Sequence, residues 1–443
     1  MHSSPSGHGV LPTGARIIDV MPTSPPSDET SYDRRRLRQW LDGDARTPGI
    51  ARRDMLRLFA AAGGAGALGA FGASSAGAAS AAPRAAGIVK PLPPDLFTVR
   101  GTNAETNWPA LKGTGYHTPA DRFFVRNHTA TPVLDAADWS LRVWGDGLRG
   151  GQAEFGLDDL KALPSAVRSA FVECAGNGRS FFTSQQGGTV SGTAWTLGAI
   201  GVARWRGARL GDVLRRAGLT GRAVDVMPRG LDDEYVTDGV NLGHVRRPLP
   251  AAKALDDVIL AYEMNGEPLP ADHGHPVRVL VPSWVGISSI KWVGDVQVSA
   301  EPLYSPWNTD FYRLFGPAYP PGGSEPLTRQ TLKSAFELPW NATLAAGERH
   351  RLTGRSWSGA GGVRAVEVST DGGATWRRAE LADEPRANGW VRWSATWRPE
   401  RPGPADLRAR ATDVTGRTQP VRTVHNDQGY LFDAVVRHPV TVV

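Results

Sequence analysis

Val172-Glu173-Cys174-Ala175-Gly176-Asn177-Gly178-Arg179 places the only cysteine of a 443-residue chain among small residues. One cysteine allows no disulfide within the chain and no four-cysteine zinc site. No Cys-x-x-Cys-His occurs, so no c-type haem is attached. The Ala-Gly-Asn-Gly that follows lets backbone come close to a bulky ligand. Arg179, five residues on, favours a thiolate, and a thiolate is a soft ligand that suits a transition metal. A nucleophilic cysteine would suit the same setting, but it needs an oriented histidine base, and no pattern singles one out.

Outward from this stretch, residues 92–300 carry a mixed signal. Strand-like runs are expected at Phe123–Val125, Leu141–Trp144, Val258–Tyr262 and Val277–Pro282. Helical patterns are expected at Leu157–Leu163 and Leu210–Ala217. No GxGxxG follows a strand, so a dinucleotide fold has no support. Residues 301–326, rich in Pro, Gly, Tyr and Trp, read as a linker that packs on the surface. Beyond them the pattern turns to alternation. Arg364–Ser369, Trp390–Trp397 and Ala405–Thr412 read as strands, and Asp371-Gly372-Gly373 marks a hairpin turn. The expectation is an α+β domain over residues 90–325 and an all-β, immunoglobulin-like sandwich over 326–443, a module suited to packing or dimerising rather than chemistry.

Bulk composition narrows the class. Hydrophobic residues make up 40% and charged residues 21%, which fits a soluble globular protein. Fifteen tryptophans against eight tyrosines favour cores and deep clefts. Part of the +6 net charge sits at Arg34, Arg35, Arg36, Arg38, Arg46, Arg52 and Arg53. No basic stripe interleaved with aromatics follows, so nucleic acid is not an expected partner. Arg52-Arg53 precedes a charge-free, Ala- and Gly-rich stretch from Leu58 to Pro83, with small tripeptides around Ala79–Ala86. This resembles a twin-arginine export signal, cleaved or retained as an anchor, on an unstructured region 1–89. It implies a periplasmic, cell-envelope or secreted protein exported already folded around a cofactor.

Four phrases in order carry a larger resemblance: FFVRNH at 123–128, ECAGNGR at 173–179, AYEMNGEPLPADHGHPVR at 261–278 and IKW at 290–292. Together they resemble the molybdopterin domain of the sulfite oxidase family, and the C-terminal sandwich is similar to that family's dimerisation domain. The resemblance runs from near Thr118 to the C-terminus. It implies a molybdenum-molybdopterin cofactor with Cys174 as the single protein ligand to the metal. Phe124, Arg126, Asn127, His128, Asp232, His273, Arg278, Ser289, Ile290 and Lys291 match positions that hold the pterin and its phosphate. Trp195 and Arg179 match residues near the substrate anion, Tyr312 matches a tyrosine beside the metal, and Arg126 shares in anion binding. Read singly, several of these residues have plainer roles: Asp232 in a solvated acidic turn, Lys291 on the surface, His128 and His273 as structural histidines, Tyr312 as a packed linker aromatic.

The family activity so implied is oxygen-atom transfer. Sulfite, a small oxyanion, is oxidised to sulfate, and electrons pass to an external acceptor such as a cytochrome or oxygen, because the haem-domain motif of the animal enzymes is not found. A homodimer is implied too. Two positions depart from the animal pattern: Gly178 and Gln428 each stand where those enzymes carry arginine. Arg246 and Arg247 are candidates to compensate. Reductive transfer to nitrate or a sulfoxide on the same cofactor remains an alternative, as does a non-enzymatic exported binding module.

Overall fold

A computed structural model describes residues 87–443, with Arg34, Arg38 and Gln39. The twin-arginine stretch and its apolar run lie outside the described residues. Among those described, no helix is long and apolar enough to cross a membrane.

Sheet dominates, and the helices are short. The helix Leu210–Arg216 shows why they form where they do. Leu210, Val213 and Leu214 recur at helical spacing and are fully buried. Gly218, with φ +90°, takes the left-handed position that stops it. Leu157–Ala162 also forms as expected. These helices pack on a five-stranded sheet ordered Leu249–Pro250, Asp225–Gly230, Val293–Ser299, Ser140–Trp144, Gln152–Gly156. A second sheet runs Glu267–Pro268, Ile259–Met264, Ile200–Arg209, Ser165–Glu173, and Arg278–Leu280 pairs with Ile259–Met264. Cys174 follows directly on the last residue of an edge strand of this sheet.

Residues 333–442 form two further sheets. One is ordered Lys333–Phe336, His350–Trp357, Trp390–Trp397, Glu380–Leu381; the other is Ala342–Leu344, His438–Val442, Gly403–Asp413, Val363–Ser369, Arg377–Arg378. Leu352, Val366, Val391, Trp393, Leu407 and Ala409 fill the layer between them. A separate core of Phe171, Phe182, Ile200, Trp357, Trp390 and Phe432 joins this pair of sheets to the first domain.

Two expectations are corrected. Phe123–Val125 is no strand: it follows the 3-10 helix Ala120–Arg122, and Val125 makes one isolated bridge to Ala104. Its apolar run reports burial in a wall, which periodicity over three residues cannot separate from a strand. The supposed surface linker dives inward at its centre: residues 305–309, 312 and 313 are buried, with Trp307 1% and Tyr312 5% exposed. Here Pro306–Thr309 forms one helical turn, capped where Ser305 N–H donates to Asn308 Oδ1 at 2.7 Å. Pro and Gly content reports turns, not depth. The C-terminal region also reaches back to the first domain. The crossing between Gly403–Asp413 and His438–Val442 returns to the first domain, where Leu431 N–H donates to Ala175 O at 2.8 Å.

Candidate active site

Two cavities meet at Cys174. One, of about 710 Å³ with its open solvent, is walled by Phe124, Arg126, Asn127, His128, Asp232, His273, Arg278, Ser289, Ile290 and Lys291, with Cys174 and Tyr312 at its end. The other, of about 720 Å³, is walled by Arg179, Thr193, Trp195, Tyr235, Trp307, Phe311, Gln428 and Tyr430. Arg126, His128, Cys174 and Tyr312 line both. Cys174 and every residue that the resemblance matched to a cofactor or anion position therefore line one cavity or the other.

The first cavity is a cationic cradle built by backbone-directed contacts. Arg278 donates to His273 O at 3.2 Å and Ser289 O at 2.9 Å and lies over the Trp205 ring. Burial lowers its pKa to about 9. Lys291 Nζ donates to Asp272 O at 2.8 Å and to Asn127 Oδ1. Burial holds its pKa well below the usual lysine range, with Arg278 adding to the shift. Asp232 is 3% exposed, so it is not the solvated turn that its neighbours Asp233 and Glu234 form. Burial raises its carboxyl to about 6, and its Oδ1 has no hydrogen-bond partner. A buried unpaired acceptor facing a cavity calls for a donor on a ligand.

His128 has a fixed tautomer. Arg126 Nη2 and Trp307 Nε1 approach its Nε2 at 3.0 and 3.1 Å. Both are donors, so Nε2 carries no proton and Nδ1 carries it. Burial, then Arg126 and Lys291, keep the ring neutral, with a pKa well below 6.5. Trp307→Phe removes one of these donors and leaves space where a buried indole stood, so it should lower stability by about 2 kcal/mol or more; thermal melting checks it.

In the second cavity, Arg179 is tied to two carbonyls. Nε donates to Gln428 O at 2.9 Å and Nη1 to Thr193 O at 3.0 Å, and the guanidinium lies over Tyr430. The glycine of the cysteine loop serves this arginine rather than a ligand: a Cβ on Gly176 would sit 2.6 Å from Arg179 Cζ. Six aromatics wall the chamber: Trp195, Tyr235, Trp307, Phe311, Tyr312 and Tyr430. Tyr312 and Tyr430 stack at 5.1 Å. Burial raises both phenol pKa values, so both stay protonated hydrogen-bond donors at neutral pH. Tyr312 sits at φ +56°, a conformation that costs a side-chain-bearing residue energy and clusters at functional sites. Arg246 and Arg247 do not line the chamber. Arg246 donates to Leu242 O and His244 O, and Arg247 to Trp307 O and Leu327 O.

Sequence reasoning missed Lys90, Asp272 and Tyr430. Asp272 accepts from Val89 N–H at 3.0 Å, Lys90 N–H at 2.7 Å and the Thr131 hydroxyl at 2.6 Å, which fastens the start of the described chain to the cradle. Lys90 Nζ donates to Ala120 O and Phe123 O, and burial lowers its pKa to about 7. Only the tertiary fold brings residue 90 to residue 273. Tyr430 stands two residues from Gln428, and an aromatic ring beside that position was the available signal.

Among the described residues no group of three His, Cys, Asp or Glu side chains could hold a bare metal ion. A metal at Cys174 must bring other ligands with it, and the adjoining cradle has the size and donor set for an organic, anionic carrier. The orphaned Asp232 Oδ1 and the cations Arg126, Arg278 and Lys291 fit a pterin edge with a phosphate.

Residues 128–307 match the oxidoreductase molybdopterin binding domain, and residues 331–442 match the Mo-co oxidoreductase dimerisation domain. Fold and site thus define a molybdopterin-binding oxidoreductase. Over 338 residues the chain is 36% identical to sulfite oxidase of Gallus gallus, covering 72% of this chain and 71% of that protein. Against mitochondrial sulfite oxidase of Mus musculus the identity is 38% over 363 residues, covering 78% of this chain but 65% of the mouse protein. The sulfane dehydrogenase SoxCD of Paracoccus pantotrophus superposes with a TM-score of 0.66 at 26% identity, over 76% of this chain and 83% of that one. The chain belongs to the sulfite oxidase family of molybdopterin-dependent oxidoreductases.

Proposed function

We propose that the protein oxidises sulfite to sulfate by oxygen-atom transfer, with Cys174 holding molybdenum. One observation carries the reading: Cys174 lies where a cationic cradle and an aromatic, arginine-bearing chamber share a wall. Sulfite and water give sulfate, two protons and two electrons. When bound, the molybdenum-molybdopterin cofactor supplies the two-electron, oxygen-transferring centre. The chain supplies the rest. Arg278, Lys291, His273, Asn127, Ser289 and the Asp232 acceptor hold the carrier, with Phe124 and Ile290 as apolar walls. Arg126 and Arg179 attract and orient the oxyanion, and Trp195 closes the chamber behind it. The protonated Tyr312 phenol donates a hydrogen bond to the anion. Neutral His128 adds one N–H donor, from Nδ1.

Electrons leave for a separate acceptor, a cytochrome or oxygen. The C-terminal strand order, four strands facing five, supports an immunoglobulin-like reading of that domain, and its match to the Mo-co oxidoreductase dimerisation domain supports a homodimer. Export by the twin-arginine route to the periplasm, envelope or medium fits a chain that must fold around a cofactor first.

Molybdenum analysis of protein exported by its native host, followed by assays with sulfite, nitrate and methionine sulfoxide, tests the reading. We expect about one molybdenum per chain and turnover with sulfite. Preference for nitrate or sulfoxide would reverse the reaction's direction, and protein without molybdenum would end the proposal. Tyr312→Phe should cut turnover of sulfite by about tenfold, the worth of one hydrogen bond made in the transition state, as steady-state kinetics will read.

A further inference from the structure

Glu173 precedes Cys174 at the end of the strand Ser165–Glu173. Successive side chains on a strand point to opposite faces, so the thiol that turns to the cavities sends its neighbour the other way. Glu173 lines neither cavity and is 0% exposed. Its carboxylate accepts from Lys333 Nζ at 2.7 Å, Trp357 Nε1 at 3.0 Å and Asn177 Nδ2 at 2.9 Å. Its carbonyl accepts from Gln330 Nε2 at 2.6 Å. Three of these four donors lie beyond residue 325, on the C-terminal side of the molecule.

The fourth donor belongs to the cysteine loop. Ala199 N–H donates to Asn177 Oδ1 at 3.0 Å, which fixes the amide so that Nδ2 must face Glu173. Asn177 N–H donates to Cys174 O at 2.9 Å, and Cys174 N–H to Ala199 O at 3.0 Å. A continuous set of bonds thus runs from Lys333 and Trp357 through Glu173 and Asn177 to the backbone of Cys174. An apolar pair of similar volume would join the two domains at least as well, because desolvating an ion pair costs about what it returns. What the charged version adds is direction.

We infer that Glu173 is a positioning residue through which Lys333 and Trp357 of the C-terminal domain set the orientation of the Cys174 loop, so that this domain completes the metal site. The inference rests on Cys174 carrying molybdenum. The domain called a dimerisation module by likeness is then also a buttress for the ligand.

Another buried ion pair gives the control. Arg355 Nε donates to Glu337 Oε1 at 2.7 Å, with side chains 1% and 8% exposed, and Arg355 Nη2 reaches Leu111 O at 2.7 Å across the same domain boundary. It does not touch the cysteine loop. The full-length loaded protein is compared as Glu173→Leu/Lys333→Met and as Glu337→Leu/Arg355→Met. Three readouts are taken: molybdenum per chain, the rate of pterin release in mild urea, and the electron paramagnetic resonance signal of the half-reduced metal. The first variant should release its cofactor at least about tenfold faster, as loss of outer partners of a metal site does, and shift the resonance. The second should keep the wild-type signal and retention. Unchanged signal and retention in the first variant, or equal changes in both, overturn the inference. Should the double substitution fail to fold, Glu173→Gln keeps the volume and removes the charge; a shifted resonance supports the inference and an unshifted one overturns it. Wild-type protein without molybdenum would instead overturn the functional reading, and the inference with it.

Discussion

Cys174→Ser should yield a folded chain whose proposed oxidation of sulfite runs about a thousandfold more slowly than the parent's. The fold survives because what anchors this residue is backbone: Cys174 N–H to Ala199 O and Asn177 N–H to Cys174 O. Serine keeps both and nearly keeps the volume of a side chain that is 8% exposed. The chemistry does not survive. A serine hydroxyl stays protonated near neutrality and is a hard ligand, whereas a thiolate is soft and anionic. A bound metal contributes several kcal/mol to a transition state. Losing ~4 kcal/mol of that is a factor of about 1000, at 1.36 kcal/mol for each tenfold. Thermal melting should be close to the parent's while molybdenum content and turnover fall together. A variant with full turnover would show that the sulfur is not the ligand. Iodoacetamide separates the thiol-nucleophile alternative, since a metal-bound sulfur in loaded protein should resist labelling.

The sequence displayed the site better than it displayed the architecture that supports the site. Cys174, Arg126 and Lys291 sit in short ordered phrases, and those phrases are walls: the loop after an edge strand, the turn after Ala120–Arg122 and the crossing into Val293–Ser299. Strand alternation made Val363–Ser369 and Trp390–Trp397 legible, because one face of each meets the sandwich core. Burial in irregular segments was not legible. Nothing in Trp307-Asn308-Thr309-Asp310-Phe311-Tyr312 has a period, so its depth is decided by what packs on it. The same holds for Glu173, whose partners Lys333 and Trp357 lie at least 160 residues away in sequence. Gly176 looked like room for a ligand and is room for Arg179, because a glycine shows that something comes close but not what.

Protein freed of its cofactor should grow more stable as pH rises from about 5 to 9, and loading should flatten that slope. The cause is a set of bases packed with too little counter-charge. Burial, then Arg126 and Lys291, hold His128 well below 6.5; burial, then Lys90, Lys291 and Arg278, do the same to His273. In the unfolded chain each takes a proton below pH 6.5, while in the folded chain each remains neutral until much lower. The unfolded state therefore binds more protons in that window, and stability rises with pH by about 1.4 kcal/mol per unit per group. Lys90, at about 7 when folded against 10.5 in the free side chain, extends the rise above pH 7, and Lys291 adds to it. Asp232 acts in the opposite sense: raised to about 6 from 3.8, it binds its proton more tightly when folded and offsets one histidine below pH 6. The net slope stays positive to about pH 9, above which Tyr312 and Tyr430, whose phenols are held above their ordinary value by burial, keep their protons longer when folded and oppose the lysines. An anionic carrier in the cradle stabilises the protonated lysines, raises their folded pKa values toward 10.5 and removes their share of the slope. Melting temperatures of cofactor-free and loaded protein, measured at pH 5.5, 7, 8 and 9, read this directly. A flat profile without cofactor, or one that falls with rising pH, would mean that the cradle is not short of negative charge and that an anion does not belong in it.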